Sequence, residues 1–154
     1  MAYRLQFASG MNTKAEVLKA RTKRFALDVL ELIDTLPAQG PSVRIGWQLG
    51  AAATSTAANY RAACRARSPA EFAAKIGLVL EEADESLFWL EVLLERETGD
   101  PALRKALLAE ADQLTAIFAA STITARATAS RAREAPVADE PITDDPIRKL
   151  KSAT

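Results

Sequence analysis

The sequence predicts an all-α protein: an antiparallel, up-down-up-down four-helix bundle with a disordered C-terminal tail. Apolar residues recur at steps of three, four and seven over long stretches, which is the period of a helix face. Helix-starting and helix-stopping residues divide the chain into four such stretches joined by short loops, as in an antiparallel bundle. The 154 residues are 49% apolar and 26% charged, a composition typical of one globular domain.

The first helix is predicted from about Thr13 to Leu36. Thr13 and Glu16 have the spacing of a capping box, and Pro37 and Pro41 would stop the helix. Its apolar face consists of Leu18, Phe25, Val29, Leu32 and Leu36.

Residues 1–12 show no helical period and are expected to form a flexible N-terminal extension. Met11 directly precedes the helical pattern, so we expect it to be the natural start of the protein.

The second helix is predicted from about Ser42 to Arg65 and is crowded with small residues. Glycine inside a helix costs about 1 kcal/mol relative to alanine. Gly46 and Gly50 therefore indicate a closely packed neighbouring helix as the compensation. Trp47 and Tyr60 are the only large aromatic residues of this segment.

The third helix has the clearest start in the chain. Ser68, Pro69 and Glu71 supply a capping side chain, a proline at the first helical position and a glutamate at the third. The apolar residues then follow strict steps of four and three, which predicts a heptad seam, and Gly99 is expected to end the helix. The seam consists of Phe72, Ile76, Val79, Ala83, Ser86, Leu90 and Leu93, with Leu80, Leu87 and Leu94 in a second stripe.

The fourth helix begins at the cap Asp100-Pro101, and the bundle is predicted to span residues 13–125. Its apolar face consists of Leu103, Leu107, Leu114, Ile117 and Phe118. Residues 126–154 are charged and contain Pro136, Pro141 and Pro146, so they are expected to be disordered. Ile142, Ile147 and Leu150 leave open a short docking segment within this tail.

The amino-acid composition argues against most catalytic mechanisms. The chain has no histidine, which removes serine and cysteine triads and the most common general base. One cysteine without histidine cannot form a structural zinc site, and no glycine-rich phosphate loop is present. We therefore predict no catalytic residues, no metal ligands, no cofactor and no small-molecule substrate. Cys64 is expected to be a small packing residue in a reducing, cytoplasmic compartment.

The charges are balanced in total but unevenly placed. Residues 1–67 carry a net charge of +6, and residues 68–121 carry −7. The carboxylates of residues 81–85 are interpreted as a solvated acidic face, since Mg²⁺ needs more convergent oxygen ligands than one helix offers. The two regions could form separate faces or neutralise each other as neighbouring helices.

The basic residues of the first two helices carry the leading functional hypothesis. They could contact the phosphates of RNA or DNA, although cations near a helix C-terminus also complement the helix dipole. The candidate residues are Lys19, Lys23, Arg24, Arg61, Arg65 and Arg67. The alternative is a structural or protein-interaction module with no nucleic-acid role.

Residues 57–72 resemble the bacterial "four helix bundle protein" family, some members of which are encoded in intervening sequences of 23S ribosomal RNA genes. The resemblance extends over roughly residues 13–120 and includes Lys75-Ile76-Gly77, residues 81–86 and Trp89-Leu90. The residues at the positions of the family motif are Asn59, Tyr60, Glu71 and Phe72, and many relatives have Asn-Ile-Ala-Glu-Gly where this chain has residues 59–63.

The resemblance implies a four-helix bundle that assembles as a homopentamer without enzymatic activity. It also implies similarity to the accessory variability protein of diversity-generating retroelements, which binds nucleic acid. The predicted oligomer interface consists of Leu80, Leu87, Phe88, Trp89 and Leu94 on the third helix. No apolar run is long enough to span a membrane, so no membrane partner is expected.

Overall fold

Four helices pack into one closed bundle in the computed structural model, which describes the backbone of residues 2–134 and the side chains of residues 14–134. The helices are α1 (Ala2–Asp34), α2 (Pro41–Ala63), α3 (Pro69–Glu95) and α4 (Pro101–Glu134). Each helix packs against the next, and α1 also packs against α4. Residues 2–134 contain no strand. The predicted all-α, up-down-up-down bundle is confirmed.

The start of α1 differs from the prediction. The helix begins at Ala2, so the start predicted at Thr13 is wrong. Extending an existing helix costs far less free energy than nucleating a new one, and most of residues 2–8 have at least moderate helix propensity. The Thr13–Glu16 spacing therefore lies inside the helix rather than at its cap.

The core is centred on the heptad seam of α3. Six of its seven predicted residues are buried, and Phe72 is half-buried against the same core. On the other helices, the largest fully buried side chains are those of Phe25, Leu32, Leu49, Leu114 and Phe118. The predicted faces of α1 and α4 are confirmed in their central parts.

The small residues of α2 allow α1 to approach closely. A Cβ atom added at Gly46 would lie 3.3 Å from side-chain atoms of Ile33 and Leu36, and one added at Gly50 would lie 3.2 Å from Ile33. The predicted close packing of α2 is thus found at α1. The helix itself ends at Ala63, two residues before the predicted end at Arg65.

Two of the predicted helix caps are confirmed. The Ser68 hydroxyl accepts the backbone N–H of Glu71 at 3.1 Å, at the start of α3. The Asp100 carboxylate accepts the backbone N–H groups of Ala102 and Leu103 at 2.9 and 2.8 Å, at the start of α4. Each satisfies donors that a helix N-terminus leaves without an intrahelical partner.

The end of α3 was predicted less well. The helix stops at Glu95, and Glu97, with φ of 52°, takes the left-handed conformation usually given to glycine. Gly99 lies beyond this turn rather than at the helix end. Its φ is 85°, and the next residue donates its backbone N–H to the Thr35 hydroxyl at 2.9 Å. Gly99 therefore shapes the contact between the α3–α4 loop and the end of α1.

Arg104 is a buried charged residue that the sequence did not single out. Its side chain is 7% exposed, and its Nη1 donates to the carbonyl oxygen of Leu93 at 2.9 Å. This places a positive charge at the C-terminus of α3, where the helix dipole favours it.

Helix α4 continues nine residues past the predicted end of the bundle at residue 125, to Glu134. Thr122 and Ala125 are buried, so the bundle core reaches this part of α4. The rest of the predicted tail, residues 135–154 with its three prolines, lies outside the described residues. The assignment of that segment stays a prediction.

Candidate binding surfaces

Four cationic side chains meet at one end of the groove between α1 and α2. Lys19, Lys23, Arg61 and Arg65 line a depression of about 310 Å³ together with Glu16 and Ala20. We call these four residues the basic cluster. Each helix supplies two cations spaced four residues apart, and this spacing puts both on one helix face. The antiparallel packing of α1 and α2 then brings the two pairs together.

Three cations of the basic cluster have no ionic partner among residues 14–134. Lys19 pairs with Glu16 at 2.7 Å, whereas no ion pair of the described side chains includes Lys23, Arg61 or Arg65. All three of these side chains are exposed. None of these three cations is neutralised by an ion pair with an acidic residue of α3, so this end of the groove is positively charged.

The structure places the other two candidate cations elsewhere. Arg24 lies beside the α1–α4 groove, and its Nη2 is 2.6 Å from Asp28. Arg67 lies in the α2–α3 loop and pairs with Glu71 at 3.4 Å. Four of the six candidate residues thus form one surface, and two do not join it.

The opposite end of the α1–α2 groove is apolar. Side chains and backbone of both helices and their loop line a depression of about 610 Å³, which includes Leu30, Ile33, Leu36, Val43 and Trp47. We call this the apolar groove. Trp47 is 76% exposed, an unusual state for the largest apolar side chain. A third depression, lined by Lys23, Leu27, Leu30 and Arg61 among others, connects the apolar groove with the basic cluster.

The apolar groove was not predicted from the sequence. Its only signal was Trp47, which follows the small residue Gly46 and lies off the buried face of α2. Gly46, Gly50 and Ala51 line the depression on the α2 side, and none of them carries a side chain larger than a methyl group.

The predicted oligomer interface on α3 divides into two groups. Leu80, Leu87 and Trp89 are half-buried and pack against the core of their own chain. Phe88 and Leu94 are 51% and 41% exposed, and the rings of Phe88 and Trp89 meet edge to face with centroids 4.9 Å apart. Only the second group offers substantial apolar surface to a partner.

The four residues assigned to the family motif lie near the end of α2 and in the first turn of α3. Tyr60 is buried, with its ring centroid 5.4 Å from that of Phe118. Burial, and next the neighbouring Cys64, raise the pKa of the Tyr60 hydroxyl. Glu71 accepts the backbone N–H of Arg67 at 2.8 Å, and Phe72 packs against the core. Asn59 is partly exposed on α2.

The acidic residues of α3 do not converge on a common point. No group of three or more histidine, cysteine, aspartate or glutamate residues among the described part of the chain is placed to hold a metal ion. Partial burial, followed by the charges of Glu85 and Glu81, raises the pKa of Glu82. Glu85 instead accepts the indole N–H of Trp89 at 3.1 Å.

A membrane-spanning helix needs about 20 consecutive, predominantly apolar residues. Within residues 2–134, every helix is too polar over its length to cross a bilayer.

The bundle is similar to a solved protein structure. A protein of unknown function from the S23 ribosomal protein family of Bacteroides thetaiotaomicron superposes with a TM-score of 0.61 at 24% sequence identity. The match covers 68% of this chain and 96% of that protein. At this identity the likeness shows a shared fold. No family model and no curated protein matches the chain.

Proposed function

We propose that the protein is a non-catalytic, oligomeric bundle of the family linked to 23S ribosomal RNA intervening sequences, and that its basic cluster binds the phosphates of RNA or DNA. The fold shared with a member of the S23 ribosomal protein family supports the family assignment, as do the motif residues at the α2–α3 junction. The observation that carries the binding role is the set of exposed cations Lys23, Arg61 and Arg65.

The arrangement of the basic cluster suits phosphate contacts. Three exposed cations on one surface, none of them in an ion pair with a side chain of residues 14–134, attract the regularly spaced charges of a nucleic-acid backbone, and binding releases condensed counterions. Such contacts position a nucleic acid without reading its sequence. We therefore propose binding that depends strongly on salt and weakly on base sequence.

The test is a titration of RNA and duplex DNA at several salt concentrations. The triple variant Lys23→Ala, Arg61→Ala, Arg65→Ala should bind more weakly, and its salt slope on duplex DNA should fall by about 0.9 for each phosphate that is no longer neutralised. The matched control is Arg44→Ala, Lys105→Ala, Arg126→Ala, which removes the same charge from three other exposed positions. Equally weakened binding in both variants, or no salt-dependent binding by the native chain, would contradict the proposal.

The oligomeric part of the proposal draws support from two separate apolar surfaces. A closed ring joins one patch of each subunit to a different patch of the next. The apolar groove around Trp47 and the exposed pair Phe88 and Leu94 are two such patches on different helices. We propose that they meet in a homopentamer, as the family resemblance implies.

Mass measurement in solution tests the assembly. The native chain should have five times the 16.6 kDa mass of one subunit, and Trp47→Ser should dissociate it. Ile123→Ser is the control, since Ile123 is 72% exposed on α4 outside both patches. A monomeric native chain would refute the oligomer.

The second candidate function is a protein-interaction module with no nucleic-acid role. The apolar groove favours it, because large exposed apolar patches commonly mark protein interfaces. This second candidate is favoured if the titration of RNA and DNA finds no salt-dependent binding.

A further inference from the structure

The basic cluster surrounds a hollow in the bundle surface. Its depression of about 310 Å³ is lined by four cations, the carboxylate of Glu16 and the methyl group of Ala20. Four positive charges and one negative charge give the lining a net charge of +3. The volume lies at the lower end of the range for small-molecule sites, about 300–1,000 Å³. The hollow therefore suits a compact anion that carries several negative charges.

The positive charge ends soon after the basic cluster in both directions along the groove. Towards the apolar groove, the next large side chains are Leu27 and Leu30, which are 50% and 42% exposed. Beyond the end of α2, Arg67 pairs with Glu71 at 3.4 Å. The cations thus form a single spot, which fits the end of a phosphate chain better than a long stretch of it.

The C-terminus of α2 lies beside this spot, and its dipole alone would disfavour an anion. Three of its last carbonyl oxygens, those of Tyr60, Ala62 and Ala63, accept backbone N–H groups of the following turn at 3.0 or 3.1 Å. These bonds satisfy acceptors that a helix end leaves without an intrahelical partner. The full charges of Arg61 and Arg65 therefore outweigh the partial charge of the helix end.

A second depression adjoins the first and shares three of its cations. Lys23, Arg61 and Arg65 line both hollows. The second hollow has a volume of about 520 Å³, and the rest of its lining is apolar except for Thr54. Leu27 and Leu30 supply its exposed apolar wall. A ligand that fills both hollows has a polyanionic part joined directly to a less polar part, as a nucleotide has.

The chemistry of a polyphosphate end matches the basic cluster more closely than that of an internal phosphate. A terminal phosphate carries about −1.5 to −2 charge at pH 7, whereas each phosphate within a strand carries one charge. In a triphosphate, bridging oxygens join the phosphorus atoms, so the charges are concentrated in a small volume. Arginine binds such groups through two parallel N–H donors, and lysine binds them as a point charge.

We infer that the basic cluster binds the 5′-triphosphate group of a nucleotide, and that the second hollow holds the attached nucleoside beside Leu27 and Leu30. A free nucleoside triphosphate and the unprocessed 5′ end of an RNA both present this group. The RNA form rests on the proposed function, whereas the triphosphate site itself requires only the two hollows.

Titration of one RNA sequence with either a 5′-triphosphate or a 5′-hydroxyl end tests the site at constant salt concentration. The native chain should bind the triphosphate form about tenfold more tightly, the effect of one further charge-assisted contact. The variant Arg61→Ala, Arg65→Ala should bind both forms equally.

The matched control is Arg44→Ala, Arg126→Ala, which removes the same charge from two other exposed positions and should keep the preference for the triphosphate. Equal binding of the two RNAs by the native chain would overturn the inference. A preference that survives in Arg61→Ala, Arg65→Ala would overturn it as well.

Inorganic tripolyphosphate and a nucleoside triphosphate separate the two parts of the site. The native chain should bind the nucleoside triphosphate more tightly, because the nucleoside buries apolar surface. Leu27→Ser, Leu30→Ser should abolish this difference and leave the affinity for tripolyphosphate unchanged. The control Val17→Ser, Ile123→Ser changes side chains that are 62% and 72% exposed elsewhere, and it should keep the difference. Equal binding of both ligands by the native chain would overturn the placement of the nucleoside.

The same titrations distinguish the source of the triphosphate group. Tighter binding of the triphosphate RNA than of a nucleoside triphosphate with the same base supports a strand end as the ligand. Equal binding supports the free nucleotide and overturns the RNA form.

The triphosphate site and the proposed function fail separately. Salt-dependent binding that is the same for both RNA ends overturns the triphosphate site and leaves the proposed function standing. Tripolyphosphate binding that Arg61→Ala, Arg65→Ala abolishes, without salt-dependent binding of 5′-hydroxyl RNA or duplex DNA, sinks the proposed function and leaves the triphosphate site standing.

Discussion

At the scale of single residues, the two glycines Gly77 and Gly99 have opposite surroundings. A Cβ atom at Gly77, within α3, would meet no atom within 4 Å. A Cβ atom at Gly99 would lie 2.8 Å from Leu36 and would sit on a residue with φ of 85°. The same substitution therefore meets open space at one position and both steric clash and backbone strain at the other.

We predict that Gly77→Ala stabilises the protein by about 0.5–1 kcal/mol, because alanine lowers the entropy cost of the helix. Gly99→Ala should destabilise it by about 1–3 kcal/mol, because the left-handed conformation disfavours a side chain. Urea unfolding of the two variants measures both changes. Changes of the same sign would contradict the environments described for the two residues.

Some residue-scale roles were readable from sequence and others were not. The cap at Ser68 was predicted because its partner Glu71 lies three residues away, within one turn. Arg104 was not, because its partner carbonyl belongs to the preceding helix and becomes a neighbour only after the loop folds back. Local pairs leave a pattern in the sequence, and nonlocal pairs do not.

At the scale of one element, α3 contains two glutamates whose pKa values move in opposite directions. The backbone N–H of Arg67, and then its side chain, lower the pKa of Glu71. Partial burial and the neighbouring carboxylates raise the pKa of Glu82. The ionised form of Glu71 therefore favours the folded state, and the ionised form of Glu82 opposes it.

We predict opposite effects for Glu71→Gln and Glu82→Gln on the free energy of unfolding at neutral pH. The first should lower it and the second should raise it. The Glu82 difference should vanish as pH falls towards the unfolded carboxyl pKa of about 4.3, because the penalty is complete above its raised folded pKa and is gone once Glu82 is protonated in both the folded and the unfolded state. The Glu71 difference should persist to lower pH, until the pH falls through its lowered folded pKa.

Thermal unfolding between neutral and acidic pH measures both effects, with the exposed Glu95→Gln as a control on the same helix. The prediction fails if the Glu71 difference disappears at a higher pH than the Glu82 difference.

At the scale of the whole molecule, α1 and α4 close the bundle through the least extensive of the four helix contacts. Arg21 bridges them: its Nε and Nη2 donate to the two carboxylate oxygens of Glu110 at 2.6 and 2.9 Å. Its Nη2 also donates to Gln113 at 2.8 Å. The two charged side chains are 32% and 30% exposed, so solvent screens the pair only in part.

We predict a coupling of about 0.5–1 kcal/mol between Arg21→Ala and Glu110→Ala in a double-mutant cycle, because the pair has two-point geometry and limited exposure. Urea unfolding of the native chain and three variants measures it. The pair Arg24 and Asp28, on α1 alone, is the control and should couple more weakly. Equal coupling in both pairs, or no coupling between Arg21 and Glu110, would contradict the prediction.

The architecture was predictable because helix period, caps and short loops are all local signals. The basic cluster was partly predictable. All four of its cations were among the six candidates named from the sequence, but whether they lie together depends on the register of α1 against α2. That register is set by the fit of Ile33 against Gly46 and Gly50, which no spacing in the sequence reveals. The apolar groove follows from the same fit and was missed for the same reason.

The two tryptophans give this protein a built-in pair of optical reporters. Trp47 is almost bare to solvent at the apolar groove, whereas Trp89 is half-buried and donates its indole N–H to Glu85. Emission from Trp47 should shift to shorter wavelength whenever a ligand or another subunit covers the groove. Emission from Trp89 should change when α3 loses its packing. With Trp89→Phe, the remaining tryptophan fluorescence comes from Trp47 and reports whether the apolar groove is covered. With Trp47→Phe, it comes from Trp89 and reports the packing of α3.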